Sequence, residues 1–117
     1  MPNDIALKKL AGNLLIMAQS GQYNFPRIIN RGETASAQLA LFEFSNATMK
    51  CYFLLHGKYM PYYKWQFRSL RDLPNGEFIA DSLEFLISTD NSTENANIKN
   101  EIINTVAEEI INLINKA

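Results

Sequence analysis

This chain of 117 residues has one cysteine (Cys51), one histidine (His56) and one tryptophan (Trp65), and these scarcities narrow its chemistry first. A single cysteine excludes an internal disulfide and points to a reducing compartment, which we take as the cytoplasm. A histidine-based metal site or a Cys/His nucleophile pair would need Cys51 and His56 together. Five positions apart on a helix, they point roughly 140° away from each other. The sequence contains no Gly-rich phosphate loop, no G-x-G-x-x-G, no Walker pattern, no zinc spacing and no D-x-D. Its paired carboxylates are poor acid/base candidates: Glu108 and Glu109 diverge on a helix, and Asp81 and Glu84 share a wet face with nothing evident to raise a pKa. The expectation is a chain with no catalytic residue, no metal ligand and no cofactor, and therefore not an enzyme by itself. The opening segment MPNDIALKKLAGNLLIMAQ has charges spread through it and lacks the uninterrupted apolar run of a signal peptide or spanning helix, so we expect no membrane partner.

What is present is enough apolar material, 47% of residues, to fill one core, so residues 1–117 read as a single domain. Leu7, Leu10, Ala11, Leu14, Met17 and Ala18 recur at spacings of three and four and predict an amphipathic helix ending near Ser20-Gly21. Phe25-Pro26 fits the entrance of a short second helix, where the missing N–H of proline breaks no bond. From Glu33 to about His56 no proline or glycine interrupts the chain. There Ala35, Leu39, Phe42, Met49 and Phe53 mark one apolar stripe, and Leu41, Phe44, Cys51, Tyr52 and Leu55 widen it, so this helix should be central. A further helix is expected from about Pro61 to Arg71, then a turn at Leu73-Pro74-Asn75-Gly76. A helix through Phe78, Leu83 and Leu86 follows. The tract STDNSTENAN reads as a solvent loop, and a last amphipathic helix runs through Ile98, Ile102, Val106, Ile110, Leu113 and Ile114. No alternating strand pattern appears, and the expected fold is an all-α bundle of about five helices.

The near-zero net charge hides a split: residues 1–71 carry nine Lys/Arg against three Asp/Glu, and residues 72–117 two against nine. Four of those nine cations lie in GKYMPYYKWQFRSLRDLP, residues 57–74, where no acid precedes Asp72. Helical spacing stacks Lys64, Arg68 and Arg71 on one side and Tyr63, Phe67 and Leu70 on the neighbouring side. In one reading the cations contact phosphates while Tyr62 or Trp65 stacks on a planar ring. In the other, the aromatics are core and the cations pair with the acidic half. Arg27 and Arg31, one turn apart, either clamp an anion or pair with Glu33 or an acidic helix. A protein-interaction module without a small-molecule ligand is a further reading. Single-strand nucleic-acid binding is disfavoured by a pI near 5.8.

Two blocks, AQSGQYNFPRIINRG (18–32) and LLHGKYMPYYKWQFRSLRDLPNG (54–76), resemble those of an uncharacterised domain family. That family lies C-terminal to a nucleotidyltransferase-like domain in longer bacterial proteins. Gln22, Tyr23, Asn24, Arg27 and Arg31 match its first block, and Tyr59, Tyr62, Tyr63, Lys64, Trp65 and Arg68 its second. The family pattern has asparagine where this chain has His56 or Gly57, so no role carries over to that position. The resemblance implies a helical accessory domain similar to those of kanamycin-type nucleotidyltransferases, with the metal-binding carboxylates in an N-terminal partner domain. It implies as ligand-binding residues Arg27, Arg31, Tyr62, Tyr63, Lys64, Trp65 and Arg68. Their ligand would be a nucleotide or a phosphorylated or polyol small molecule.

Overall fold

A computed structural model describes residues 4–116. α1 (Asp4–Met17) runs without a break into a π-helix (Ala18–Asn24) and then α2 (Phe25–Asn30). α3 (Thr34–Leu55), α4 (Tyr63–Arg71), α5 (Gly76–Ser88) and α6 (Thr93–Lys116) complete an all-α bundle of five helical segments, with no strand among the described residues. No helix among them is long and apolar enough to cross a membrane.

The first helix does not end at Ser20-Gly21, and packing explains why. A Cβ at Gly21 would lie 2.4 Å from Phe44 Cδ1 and 3.0 Å from Ile103 Cγ2. Glycine here lets the backbone approach α3 and α6 closely; it does not stop the helix. The glycines that do end helices are Gly32 and Gly57, both at positive φ. After α2, Gly32 N–H donates to Ile29 O and Glu33 N–H to Ile28 O. After α3, Gly57 N–H donates to Leu54 O and Lys58 N–H to Phe53 O. Each pair of bonds satisfies two orphan carbonyls in the Schellman pattern, whose left-handed residue favours glycine.

α3 is the central helix, packed against α1, the π-helix, α2, α5 and α6. Its buried face is Ala37, Leu41, Phe44, Thr48, Cys51 and Tyr52, with Met49 and Phe53 beside it. Of the stripe expected from sequence, Met49 and Phe53 are buried but Ala35, Leu39 and Phe42 are exposed. In a helix apolar on most sides, periodicity cannot select the core face; the neighbours do. Here they cover the Ala37–Leu41–Phe44 side.

α4 and α5 form a hairpin through the expected turn. Asn75 takes the left-handed conformation, Gly76 N–H donates to Leu73 O at 2.8 Å, and the Tyr52 hydroxyl donates to the Pro74 carbonyl. Arg71 bridges the pair by donating to Asp81 Oδ1 at 2.8 Å and to Glu84 Oε1. These two carboxylates are therefore ion-paired on the surface, where solvent screening keeps the contribution small.

The polar tract after α5 is mostly not loop, since α6 already begins at Thr93. Ser92 starts this helix, its Oγ accepting from Asn95 N–H at 3.2 Å and its carbonyl from Ala96 N–H at 2.7 Å. Lys99 stands on the buried face of α6 with Ala96, Ile103, Val106 and Ile110. Its ammonium donates to Thr89 O and Asn91 Oδ1, both at 2.8 Å, and reaches Gln38 Oε1 at 3.5 Å. Asn91 Nδ2 donates in turn to Thr34 Oγ1 and Gln38 Oε1, and Gln38 Nε2 to Ile87 O. Burial lowers the Lys99 pKa, and the nearby Asp90 opposes that shift. A buried ammonium is tolerated because its donors find oxygen acceptors.

Candidate functional site

The chain leaves the α3 cap at Gly57 and runs extended to Tyr62, which has φ −52° and ψ 146° and caps α4. Gln66 Nε2 donates back to Pro61 O at 3.2 Å and fixes this entry. α4 is anchored on α5 by Leu70, which is buried, and by Phe67, which is half-buried. Leu70 and Phe67 set which side of so short a helix faces inward and leave Lys64, Trp65 and Arg68 facing solvent, while Tyr62 and Tyr63 are exposed at its N-terminal end, Tyr63 although it shares the side of Phe67 and Leu70. Tyr62 is 65% exposed, Tyr63 73% and Trp65 46%. The reading in which the aromatics of this stretch are core does not hold for Tyr62, Tyr63 and Trp65; it holds for Phe67, which packs against the core.

The exposed groups are organised among themselves. The rings of Tyr62 and Tyr63 lie 4.4 Å apart, tilted by 37°. A hydrogen bond with Tyr63, with a smaller effect from burial, raises the Tyr62 phenol pKa. Lys64 Nζ stands 5.5 Å from the centre of the Trp65 ring and Arg68 Cζ 5.3 Å from it, so two cations rest on one indole. Of the cations in this segment, Arg71 alone pairs with carboxylates; the ion pairs among the described residues include neither Lys64 nor Arg68.

Arg27 repeats the arrangement at the junction of the π-helix and α2, with Cζ 4.8 Å from the ring centre of Tyr23, which is exposed. Arg31 is exposed at the C-terminal cap of α2. α2 packs on α3 and the π-helix, and α4 on α5. Among the described residues, no side-chain hydrogen bond, ion pair or ring contact joins Arg27 or Arg31 to α4. The structure thus shows two cation–aromatic groups, a five-residue one on α4 and a smaller one on α2.

The remaining chemical candidates are quiet. Cys51 is fully buried, and burial pushes its thiol up to about 12. His56 stacks on Tyr52, and its Nδ1 lies 2.9 Å from Tyr52 O. Among the described residues no group of three or more His, Cys, Asp or Glu is placed to hold a metal ion. Sequence reasoning missed the cluster of Lys99, Gln38, Asn91 and Thr89. The signal was available, because Lys99 continues the Ala96–Ile103–Val106 spacing of the buried face.

An exposed surface of three aromatic rings, with cations that no carboxylate among the described residues pairs, can stack on a planar group and neutralise an anion beside it, without acid, base or nucleophile. No curated protein and no solved structure matches this chain. A family model described as a domain of unknown function, DUF4037, matches residues 1–66, from the first residue through the first turn of α4. That is more than half of the chain, which therefore belongs to the DUF4037 family.

Proposed function

We propose that this chain is a noncatalytic helical accessory domain of a nucleotidyltransferase-like protein, whose α4 surface contributes to a cleft for a phosphate-bearing or acceptor ligand. The observation that carries the reading is that Lys64 and Arg68 rest on an exposed indole and not on carboxylates. Charges held in this way keep their capacity for an external anion. Tyr62 and Tyr63 supply ring faces beside them, whereas Arg27 and Arg31 form a separate cationic group on α2. Arginine suits the task because its planar fork can hold two phosphate oxygens at once. In this reading the metal-binding carboxylates and the chemistry belong to an N-terminal nucleotidyltransferase-like partner domain, and the bundle plays the part that helical domains play in kanamycin-type enzymes.

A thermal-shift titration with nucleoside triphosphates and aminoglycoside-like polyols tests this, with Arg68→Ala as control. A ligand at a hundredfold excess over its dissociation constant stabilises by roughly 2.7 kcal/mol, and the shift should vanish in the variant. A second reading, docking of the same segment onto a protein partner, is favoured by the near-complete exposure of Tyr59, at 99%, next to Tyr62 and Tyr63. It predicts no shift with any of these small molecules.

A further inference from the structure

A different surface lies between α1, the π-helix and α6. An open groove of about 440 Å³ runs there, with Leu14, Met17 and Ala18 on one wall and Ala107 and Ile111 on the other. Ala18 and Ala107 leave the space, and the π-helix brings Gln22 to the groove, where its Nε2 donates to Asn104 Oδ1 of the opposite wall at 3.3 Å. Leu15 and Ile16 of α1 remain exposed nearby, as does Ile111 on α6 itself.

The charge around the groove is one-sided. Glu108 lines it, and Glu101 stands two turns earlier on the same side of α6, with Glu94 two turns before that. On α6 Lys99 points into the core and the exposed lysine, Lys116, stands in the last turn beyond Ile111, so the stretch beside the groove presents carboxylates without a cation. On the α1 wall, Lys8 and Lys9 lie more than a turn before Leu14, so a ligand's cations belong at the α6 rim.

We propose that this groove is a docking site for a cationic amphipathic helix of a partner polypeptide. Its apolar side chains, repeating at three and four residues, seat on Leu14, Ala18, Ala107 and Ile111. Its lysines or arginines face Glu101 and Glu108. A groove between two helices presents no sheet edge that could take up a strand, and an amphipathic helix fits it through its apolar stripe. Carboxylates at the rim steer such a helix and select against an acidic one.

The test is a titration followed by backbone amide NMR. The probe is a synthetic Leu/Lys amphipathic peptide of about 14 residues, roughly 20 Å long as a helix, with a Leu/Glu peptide of the same pattern as control. The Leu/Lys peptide should shift the amides of Ala18, Gln22, Ala107 and Ile111 saturably. Ala107→Arg should abolish the effect, and Glu108→Lys should weaken it at least tenfold. Glu108 is exposed, so that variant decides the matter even if Ala107→Arg disturbs the fold. Shifts confined to another surface, equal binding of the Leu/Glu peptide, or no binding would overturn the proposal. So would a groove filled by a second copy of the chain, seen as a dimer by sedimentation that charge reversal at Glu108 dissociates.

Discussion

The same substitution, glycine to alanine, should have opposite effects at Gly12 and Gly21. Both residues lie in the continuous helical segment from α1 through α2. At Gly12 an added Cβ meets nothing within 4 Å. Alanine there gains helix propensity and loses unfolded-state freedom, a stabilisation of about 0.4–1 kcal/mol. At Gly21 the same gain is opposed by overlap, since the Cβ would stand 2.4 Å and 2.9 Å from two carbons of Phe44 and 3.0 Å from Ile103 Cγ2. Carbon contacts are comfortable only at about 3.5–4.0 Å. Phe44 is 0% exposed and Ile103 1%, so neither side chain can swing into water to relieve it. Overpacking of this kind costs about 1–3 kcal/mol and exceeds the propensity gain. Denaturant unfolding should place Gly12→Ala above the wild type in midpoint and Gly21→Ala below it. The melting temperatures should move in the same senses, by about 4 °C per kcal/mol. If Gly21→Ala is as stable as Gly12→Ala, the close approach of the π-helix to α3 and α6 is refuted, and with it the placement of Gln22 at the groove.

Four further outcomes follow from the interior. Lys99→Met should destabilise the fold by about 2 kcal/mol, because Thr89 O and Asn91 Oδ1 lose a charged donor while the methionine gains burial; amide exchange should rise most at 89–95. For the wild type, a Lys99 pKa below the unfolded value means that the unfolded state binds the extra proton, so stability should rise as pH increases toward 10.5, a rise that Lys99→Met should lack. Ser45 Oγ is buried without a partner among the described residues, so Ser45→Ala should stabilise by about 1 kcal/mol in the same unfolding assay. Cys51, held near 12, should be inert to a thiol reagent at pH 8, where roughly one molecule in ten thousand carries thiolate. It should react at once in denaturant.

Much of the bundle was legible because spacing and breakers act locally. The turn at Leu73-Pro74-Asn75-Gly76, the central position of α3 and the break at Gly57 all rest on residue types whose preferences tertiary contacts did not override. The differences arise where a residue's role depends on what packs against it. Gly21 resembles a stop signal in the sequence, yet it is a contact point for Phe44. Leu39 and Phe42 follow a helical stripe, yet no neighbour covers them. Lys99 looks like a surface lysine until the oxygens of Gln38, Thr89 and Asn91, remote in sequence or in a loop, are brought around it. For the candidate site, residue types showed the aromatic and cationic composition of 58–71 but not its orientation. That was fixed by Leu70 and Phe67 facing α5, and by Arg71 alone reaching the carboxylates of that helix.

The central claim, that α4 carries a ligand surface, is tested most directly by the emission of Trp65. It is the only tryptophan of the chain and lies under both Lys64 and Arg68. Titration with a nucleoside triphosphate should change its fluorescence saturably, with an apparent affinity that falls as salt is added and is lost in Arg68→Ala. An emission that stays constant while the same ligand raises the melting temperature would place binding elsewhere, and no response in either signal would contradict the account of α4 as a site.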